Sequence, residues 1–162
     1  MVQKQYDLTI EIVNEHTQMH AKQLILDGME EHFGFLGTAL NPDLNNIIDN
    51  YLMQGNTFLV GLIRNEVVCS GALIAVDDNT GRIVRMSVKK ECRRYGFASK
   101  MIGALETIAE ERGYTKIILK TLYHWDDAVG FYISKGYTKG DLNGESITMV
   151  KTLYMNKMKG DI

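Results

Sequence analysis

Proline is almost absent from this chain: Pro42 is the only one in 162 residues. Proline-rich linkers are thereby excluded, and no repeat or low-complexity tract takes their place. Cysteine is equally scarce, and Cys69 and Cys92 are too few for a disulfide framework or a metal quartet. No apolar run is long enough to cross a bilayer, and no basic-then-apolar leader opens the sequence. These gaps set the expectation of a soluble protein of the reducing, cytoplasmic compartment with no membrane partner. Net charge is also low. A formal charge of −2 and a pI near 6.1 argue against a nucleic-acid partner, which would need a basic face across the domain. The nucleoside-triphosphate signature Gly-x-x-x-x-Gly-Lys-Ser/Thr does not occur. Nor does Gly-x-Gly-x-x-Gly with an acid roughly 20 residues further on, the mark of dinucleotide binding. His16 and His20 stand four apart, as a metal pair would, but no third ligand is placed to complete it. No metal is expected.

What is present is an ordinary globular composition, 45% hydrophobic and 23% charged. The length suits one domain, 1–162, with enough interior for a real core. In chain order the pattern predicts a strand from Leu8 to Val13. A helix should follow, capped within Asn14 to Thr17 and carrying Leu24, Ile25, Met29 and Phe33. Gly34-Phe35-Leu36-Gly37 breaks it. Asn41-Pro42 reads as a cap and first helical position, opening a short helix through Ile47, Ile48, Tyr51 and Leu52. Two strands, Thr57 to Ile63 and Val67 to Val76, join at a tight turn through Arg64-Asn65-Glu66. After turn formers at 77–81, a third antiparallel strand runs from Ile83 to Val88.

The stretch from Arg82 to Gly113 organises the rest. Its strand gives way to a basic turn and then to a helix. Ala98, Met101, Ile102, Leu105, Ile108 and Ala109 recur on one face of a 3.6-residue period. Gly113 closes that helix, with Arg112 in the last turn. From Arg82 to Lys100 seven basic residues face the single acid Glu91. The first turn of a helix adds unpaired N–H groups and a partial positive charge, and Gly96 and Ala98 keep the backbone approachable. This turn suits a polyanion. Next come a strand, Lys116 to Thr121, parallel to the Ile83 strand by its crossover. A helix from Asp126 to Lys135, capped by Asp126 or Asp127, precedes a terminal hairpin. That hairpin pairs Tyr137 to Leu142 with Ile147 to Leu153 about an Asn143-Gly144 turn. The tail from Asn156 to Ile162 is expected to fray.

The segment Arg93-Arg94-Tyr95-Gly96-Phe97-Ala98, after a strand and opening a helix, resembles the acyl-CoA pyrophosphate loop of the GNAT superfamily of N-acetyltransferases. A second match is Ala128-Val129-Gly130-Phe131-Tyr132-Ile133-Ser134-Lys135-Gly136-Tyr137. The element order agrees along nearly the whole chain, least well in the first third. The resemblance implies a mixed α/β fold of GNAT type. Its central sheet would be mostly antiparallel with one parallel, splayed strand pair, flanked by about four helices.

It also implies a chemistry, the transfer of an acetyl group from acetyl-CoA to a primary amine by direct attack in a ternary complex. Backbone groups of Met86, Ser87 and Val88 would pair with the pantetheine amides. The N–H groups of Arg94, Tyr95, Gly96, Phe97, Ala98 and Ser99 would hold the pyrophosphate, beside Arg93. Tyr132 occupies the position of the general acid for the leaving thiolate. Phe33 to Leu40 lies where the family places an acceptor flap, so Phe33, Phe35 and Leu36, with His124, are candidate acceptor contacts. The acceptor would be a small-molecule or protein amine, and a homodimer is compatible with this reading.

Two departures carry consequences. Trp125 stands where the family often has Asn, which alters one cofactor contact. The strand from Ile83 to Val88 holds no acid, so the base is unassigned among Glu30, Glu31, His32, His124 or a bare water path. A GNAT-like module that binds acyl-CoA without transferring it is the alternative this second departure keeps open. Each residue also has a plainer reading. Tyr132 could be packing, His124 an ordinary loop residue, Cys92 an inert thiol and the nine methionines core filler.

Overall fold

The computed structural model describes residues 7–34 and 41–153. Phe35, Leu36 and the tail expected to fray lie outside the described residues. The elements follow one another as β1 (Thr9–Ile12), α1 (Gln18–Phe33), α2 (Ile47–Asn50), β2 (Thr57–Ile63), β3 (Glu66–Ala75) and β4 (Thr80–Val88). Then come α3 (Phe97–Glu111), β5 (Lys116–Leu122), α4 (Asp126–Ser134), β6 (Thr138–Asn143) and β7 (Ser146–Thr152). The strands pair in the order β1-β2-β3-β4-β5-β7-β6. β4 and β5 run parallel, while β1 with β2, β5 with β7 and β6 with β7 are antiparallel. The expected mixed fold with one parallel pair is borne out.

Two compact units share these elements. The first comprises Met1–Ala72 and Arg85–Ala104. Within it β2 is buried along nearly its whole length, as a strand covered on both faces should be. β2 and β3 join through Arg64 and Asn65, both in the left-handed region at φ 50 and 66. That is the signature of a primed two-residue hairpin turn. Asn14 closes the start of α1, its Oδ1 accepting from the backbone N–H of His16 and Thr17 at 2.8 and 3.0 Å. Gly34 ends α1 at φ 73, returning its N–H to the Glu30 carbonyl at 2.7 Å.

The segment after Pro42 departs from expectation. It forms a 3₁₀ turn (Pro42–Asn46), the single α-turn α2 and a second 3₁₀ turn (Leu52–Gln54), not one continuous helix. Asn46 caps it, its Oδ1 accepting from the Asp49 N–H at 3.1 Å. Asn41 makes no cap bond because its side chain is used elsewhere.

The second unit comprises Leu73–Val84 and Leu105–Ile162. Here the parallel register pairs Thr80 with Lys116, Gly81 with Ile117 and Arg82 with Ile118. It covers three pairs and stops, although β5 continues along β7 as far as Leu122–Ser146. Ile117, Leu119, Met149 and Tyr137 fill the interior. The hairpin turn is displaced by one residue from the expected one. Asn143 pairs with Ser146, so the loop residues are Gly144 and Glu145, with Gly144 at φ 63. The first loop position has a positive φ, which glycine adopts without strain. Neither Asp126 nor Asp127 caps α4. Trp125 holds the cap position and the two acids sit in the first turn, where the helix dipole favours them.

Candidate functional site

β4 ends, turns and becomes α3 entirely within the first unit. Lys89 sends its N–H to the Val68 carbonyl at 2.8 Å, and residues 90–92 form a single 3₁₀ turn. The backbone then enters the left-handed region twice, at Arg94 (φ 70) and Gly96 (φ 82), on either side of Tyr95. Left-handed residues within such a turn curl successive N–H groups toward one point, the nest geometry that binds anions. A Cβ built on Gly96 would meet nothing within 4 Å. Among the described residues nothing fills the space that the glycine leaves open. Phe97 is buried at 3% exposure and anchors the first turn of α3, while Tyr95 is 51% exposed with its ring tilted over Phe97 at 6.0 Å. Ala98 and Ser99 complete that turn, half-buried.

The seven cations of the sequence are not equivalent in space. Arg93 is committed: its guanidinium grips both oxygens of Glu31 on α1 at 2.6 and 3.0 Å, and its Nε donates to the Val88 carbonyl at 3.1 Å. The hydrogen bond from Arg93 holds the Glu31 carboxyl below its ordinary pKa. That makes Glu31 a poor base. Lys89 pairs with Glu66, and Arg85 with Asp43. Lys90, Arg94 and Lys100 make no ion pair among the described residues of this unit. Distant acids therefore neutralise three of the seven cations; Arg82 lies in the second unit, and in the first Lys90, Arg94 and Lys100 remain.

Arg85 is the largest surprise. It sits inside β4 with φ 58, a conformation that costs a non-glycine residue on the order of 1–3 kcal/mol. Three bonds hold it. Its Nη2 donates to Asp43 Oδ1 at 2.7 Å and to Asn41 Oδ1 at 3.0 Å, and its Nε donates to Asp43 Oδ2 at 3.1 Å. Ser70 Oγ donates to the Arg85 carbonyl at 2.8 Å, and the Tyr51 hydroxyl donates to Asp43 Oδ2 at 2.6 Å. Burial pushes the Asp43 carboxyl up, but hydrogen bonds from Arg85 and Tyr51 outweigh it and hold the pKa low. Burial, and then the bond to Asp43, push Tyr51 up to about 12. From sequence Arg85 is one cation among seven and Tyr51 one apolar position of a short helix, and Asp43 carries no signal of its own. No local motif links residues 42 positions apart.

A cleft of about 630 Å³ lies beside this turn, between α1, the β2–β3 turn and the end of β4. Glu30, Glu31, Val88 and Arg93 line it, but the residues from Arg94 to Ser99 do not. Phe33 ends α1 at 46% exposure. Met86, Ser87 and Val88 are half-buried at the end of β4. His20 also lines the cleft, while His16 precedes α1. Among the described residues no three His, Cys, Asp or Glu side chains gather as a metal group.

Tyr132 belongs to the second unit. Its ring packs edge-on to Phe131 and Tyr137, with centroids 5.2 and 5.9 Å away. Burial pushes its hydroxyl up to about 12, so it stays protonated at neutral pH. α4 is held from below. Lys151 Nζ donates to the Lys135 carbonyl at 2.8 Å and to Glu106 Oε2 at 2.9 Å, and the Tyr137 hydroxyl donates to that same oxygen at 2.9 Å. His124, after β5, is exposed, its ring edge-on to Tyr123 at 5.4 Å.

A strand, a left-handed basic turn and a helix N-terminus in this order match a known family. Residues 23–137 match the model of the acetyltransferase (GNAT) family. The chain belongs to that family. Human N-acetyltransferase 8B is 30% identical over 111 residues, 65% of this chain and 49% of that relative. Rat N-acetyltransferase 8 is 30% identical over 124 residues, 73% of this chain and 54% of the relative. The chain thus spans about half the length of the curated relatives it matches. A GNAT acetyltransferase from Staphylococcus aureus superposes with a TM-score of 0.82 at 24% identity, over 91% of this chain and 99% of that one. PaiA N-acetyltransferase from Thermoplasma acidophilum, solved in complex with coenzyme A, gives 0.76 at 11% identity, over 91% and 99%. At these identities the likeness is one of fold, and it is the GNAT fold. Among the described residues no helix of this GNAT chain is long and apolar enough to cross a membrane.

Proposed function

We propose that this GNAT protein transfers an acetyl group from acetyl-CoA to a primary amine by direct attack in a ternary complex. The observation that carries the proposal is the open, left-handed turn at Arg94 and Gly96 leading into the first turn of α3. Its N–H groups, from Arg94 to Ser99, would bind the pyrophosphate, with charge from Arg94, Lys90 and Lys100. Arg93 shapes the turn through Glu31 and does not itself meet a phosphate. Backbone groups of Met86, Ser87 and Val88 would pair with the pantetheine arm. Two fold neighbours support the co-substrate: the PaiA enzyme holds coenzyme A, and a GNAT acetyltransferase from Elizabethkingia anophelis holds acetyl-CoA.

Transfer requires an attacking amine without its proton and a destination for the sulfur's charge. Tyr132 is our candidate for the second task. A phenol with its pKa raised to about 12 keeps its proton and can donate a hydrogen bond as the thiolate departs. For the first task Glu31 is disfavoured by its pairing with Arg93, which leaves Glu30, His32, His124 or water. Phe33, Phe35, Leu36 and His124 remain the candidate acceptor contacts, on the family resemblance alone. The test is release of coenzyme A thiol from acetyl-CoA over a panel of small amines and peptide N-termini. Turnover of at least one acceptor is expected.

A second reading, acyl-CoA binding without transfer, is favoured by one observation: β4 carries no carboxylate from Thr80 to Val88. Tight binding of acetyl-CoA with no turnover of any amine would select it.

A further inference from the structure

We propose that Arg85 is a positioning residue whose pairing with Asp43 and Asn41 holds β4 in its left-handed kink, and so presents the next three residues to acetyl-CoA. The inference rests on the acetyl-CoA reading above. A left-handed residue turns the strand's peptide groups out of the alternation that a ladder would impose. The kink falls immediately before Met86, Ser87 and Val88, the residues assigned to the pantetheine arm. Arginine is a costly choice there, since its Cβ opposes a positive φ that glycine would adopt freely. The guanidinium supplies the compensation through its two-pronged grip on Asp43 and its bond to Asn41, with Ser70 fixing the Arg85 carbonyl.

Asp43 and Asn41 belong to the segment that leads into α2. The same contact therefore ties that segment to the end of β4. An ordinary ion pair would stabilise the fold without caring which backbone shape β4 adopts.

Glycine separates these possibilities, because Arg85→Gly removes the guanidinium and the strain together. Acetyl-CoA affinity would be measured by calorimetry, and stability by urea unfolding, for Arg85→Ala, Arg85→Gly, Asp43→Asn and the double variant Asp43→Asn/Arg85→Gly. Arg85→Ala and Asp43→Asn should weaken acetyl-CoA binding at least about 10-fold. Arg85→Gly should stay within about 3-fold of wild type, and the double variant should recover what Asp43→Asn alone loses. All four should lower the urea midpoint. Should Arg85→Ala fail to fold, the contrast between Asp43→Asn and the double variant carries the test. Equal losses in the alanine and glycine variants, or wild-type affinity in both Arg85→Ala and Asp43→Asn, overturn the inference and leave the acetyl-CoA reading standing. A wild-type protein that binds no acetyl-CoA overturns that reading and the inference together.

Discussion

At the scale of single residues, Gly96 and Tyr132 separate the tasks of binding and transfer. Gly96 stands at φ 82 with open space where a side chain would project. A glutamate there is strained by its backbone and sets a negative charge beside the expected pyrophosphate. A ligand at 100 times its Kd stabilises a protein by about 2.7 kcal/mol, so acetyl-CoA should raise the wild-type Tm by several degrees. Gly96→Glu should erase that shift, and an unchanged shift would remove the turn from the site. Tyr132 poses the opposite question. Its ring is packed against Phe131 and Tyr137, so phenylalanine preserves the packing and deletes only the hydroxyl. We expect Tyr132→Phe to lower kcat at least about 10-fold, since positioned general acids contribute on the order of 100- to 10,000-fold. Kd for acetyl-CoA should stay within a few-fold, the pattern of an interaction made in the transition state. Wild-type turnover by the phenylalanine variant would make Tyr132 a packing residue.

At the scale of elements, what could be read in advance was whatever local chemistry decides. Thr57–Ile63 forms the strand its β-branched and apolar run implies, and α3 buries Met101, Ile102, Leu105 and Ala109 on the face that their spacing marks. The crossover made β4 and β5 parallel neighbours. Misreadings occur where a distant partner claims a residue with good local credentials. Asn41 precedes a proline and looked like a cap, but Arg85 takes its side-chain oxygen. Asp126 and Asp127 are a different case, because the helix begins after Trp125 and both fall in its first turn. α4 shows the same principle energetically. It is nine residues long, without a side-chain cap, and Lys151 secures its end from another strand. Lys151→Ala would strip that carbonyl of its donor and leave Glu106, which is 16% exposed, without its cation. A loss of roughly 1–3 kcal/mol in urea unfolding is expected, the cost of orphaning half-buried polar groups. Glu106→Gln in the alanine background should then add less than it does alone, because the two share one network.

At the scale of the whole molecule, charge is where sequence and space part most clearly. Seven cations in a row of nineteen residues suggest one strong field, yet acids from distant segments cancel three of them. Those pairings give the protein a defined pH window. Asp43 and Glu31 have folded-state pKa values below the ordinary carboxylate value, Asp43 because its hydrogen bonds overcome burial and Glu31 through Arg93. Their contribution is complete above the unfolded value of about 4 and is lost as pH falls through the folded values. Tyr51 and Tyr132 shift the other way, raised to about 12 chiefly by burial. Their contribution is complete below the unfolded value of about 10 and is lost as pH climbs from there toward 12. Burial likewise pushes the Cys69 thiol up to about 12 from an unfolded value of about 8.5, so the urea midpoint should be flat from about pH 5 to 8 and fall on both sides. Tyr132→Phe has no hydroxyl to ionise, so its alkaline limb should be shallower than that of wild type while the acid limbs superimpose. Parallel alkaline limbs would show that the Tyr132 hydroxyl titrates alike in the folded and unfolded chains. The desolvated setting argued for that hydroxyl would then be lost, though at neutral pH it would still carry its proton.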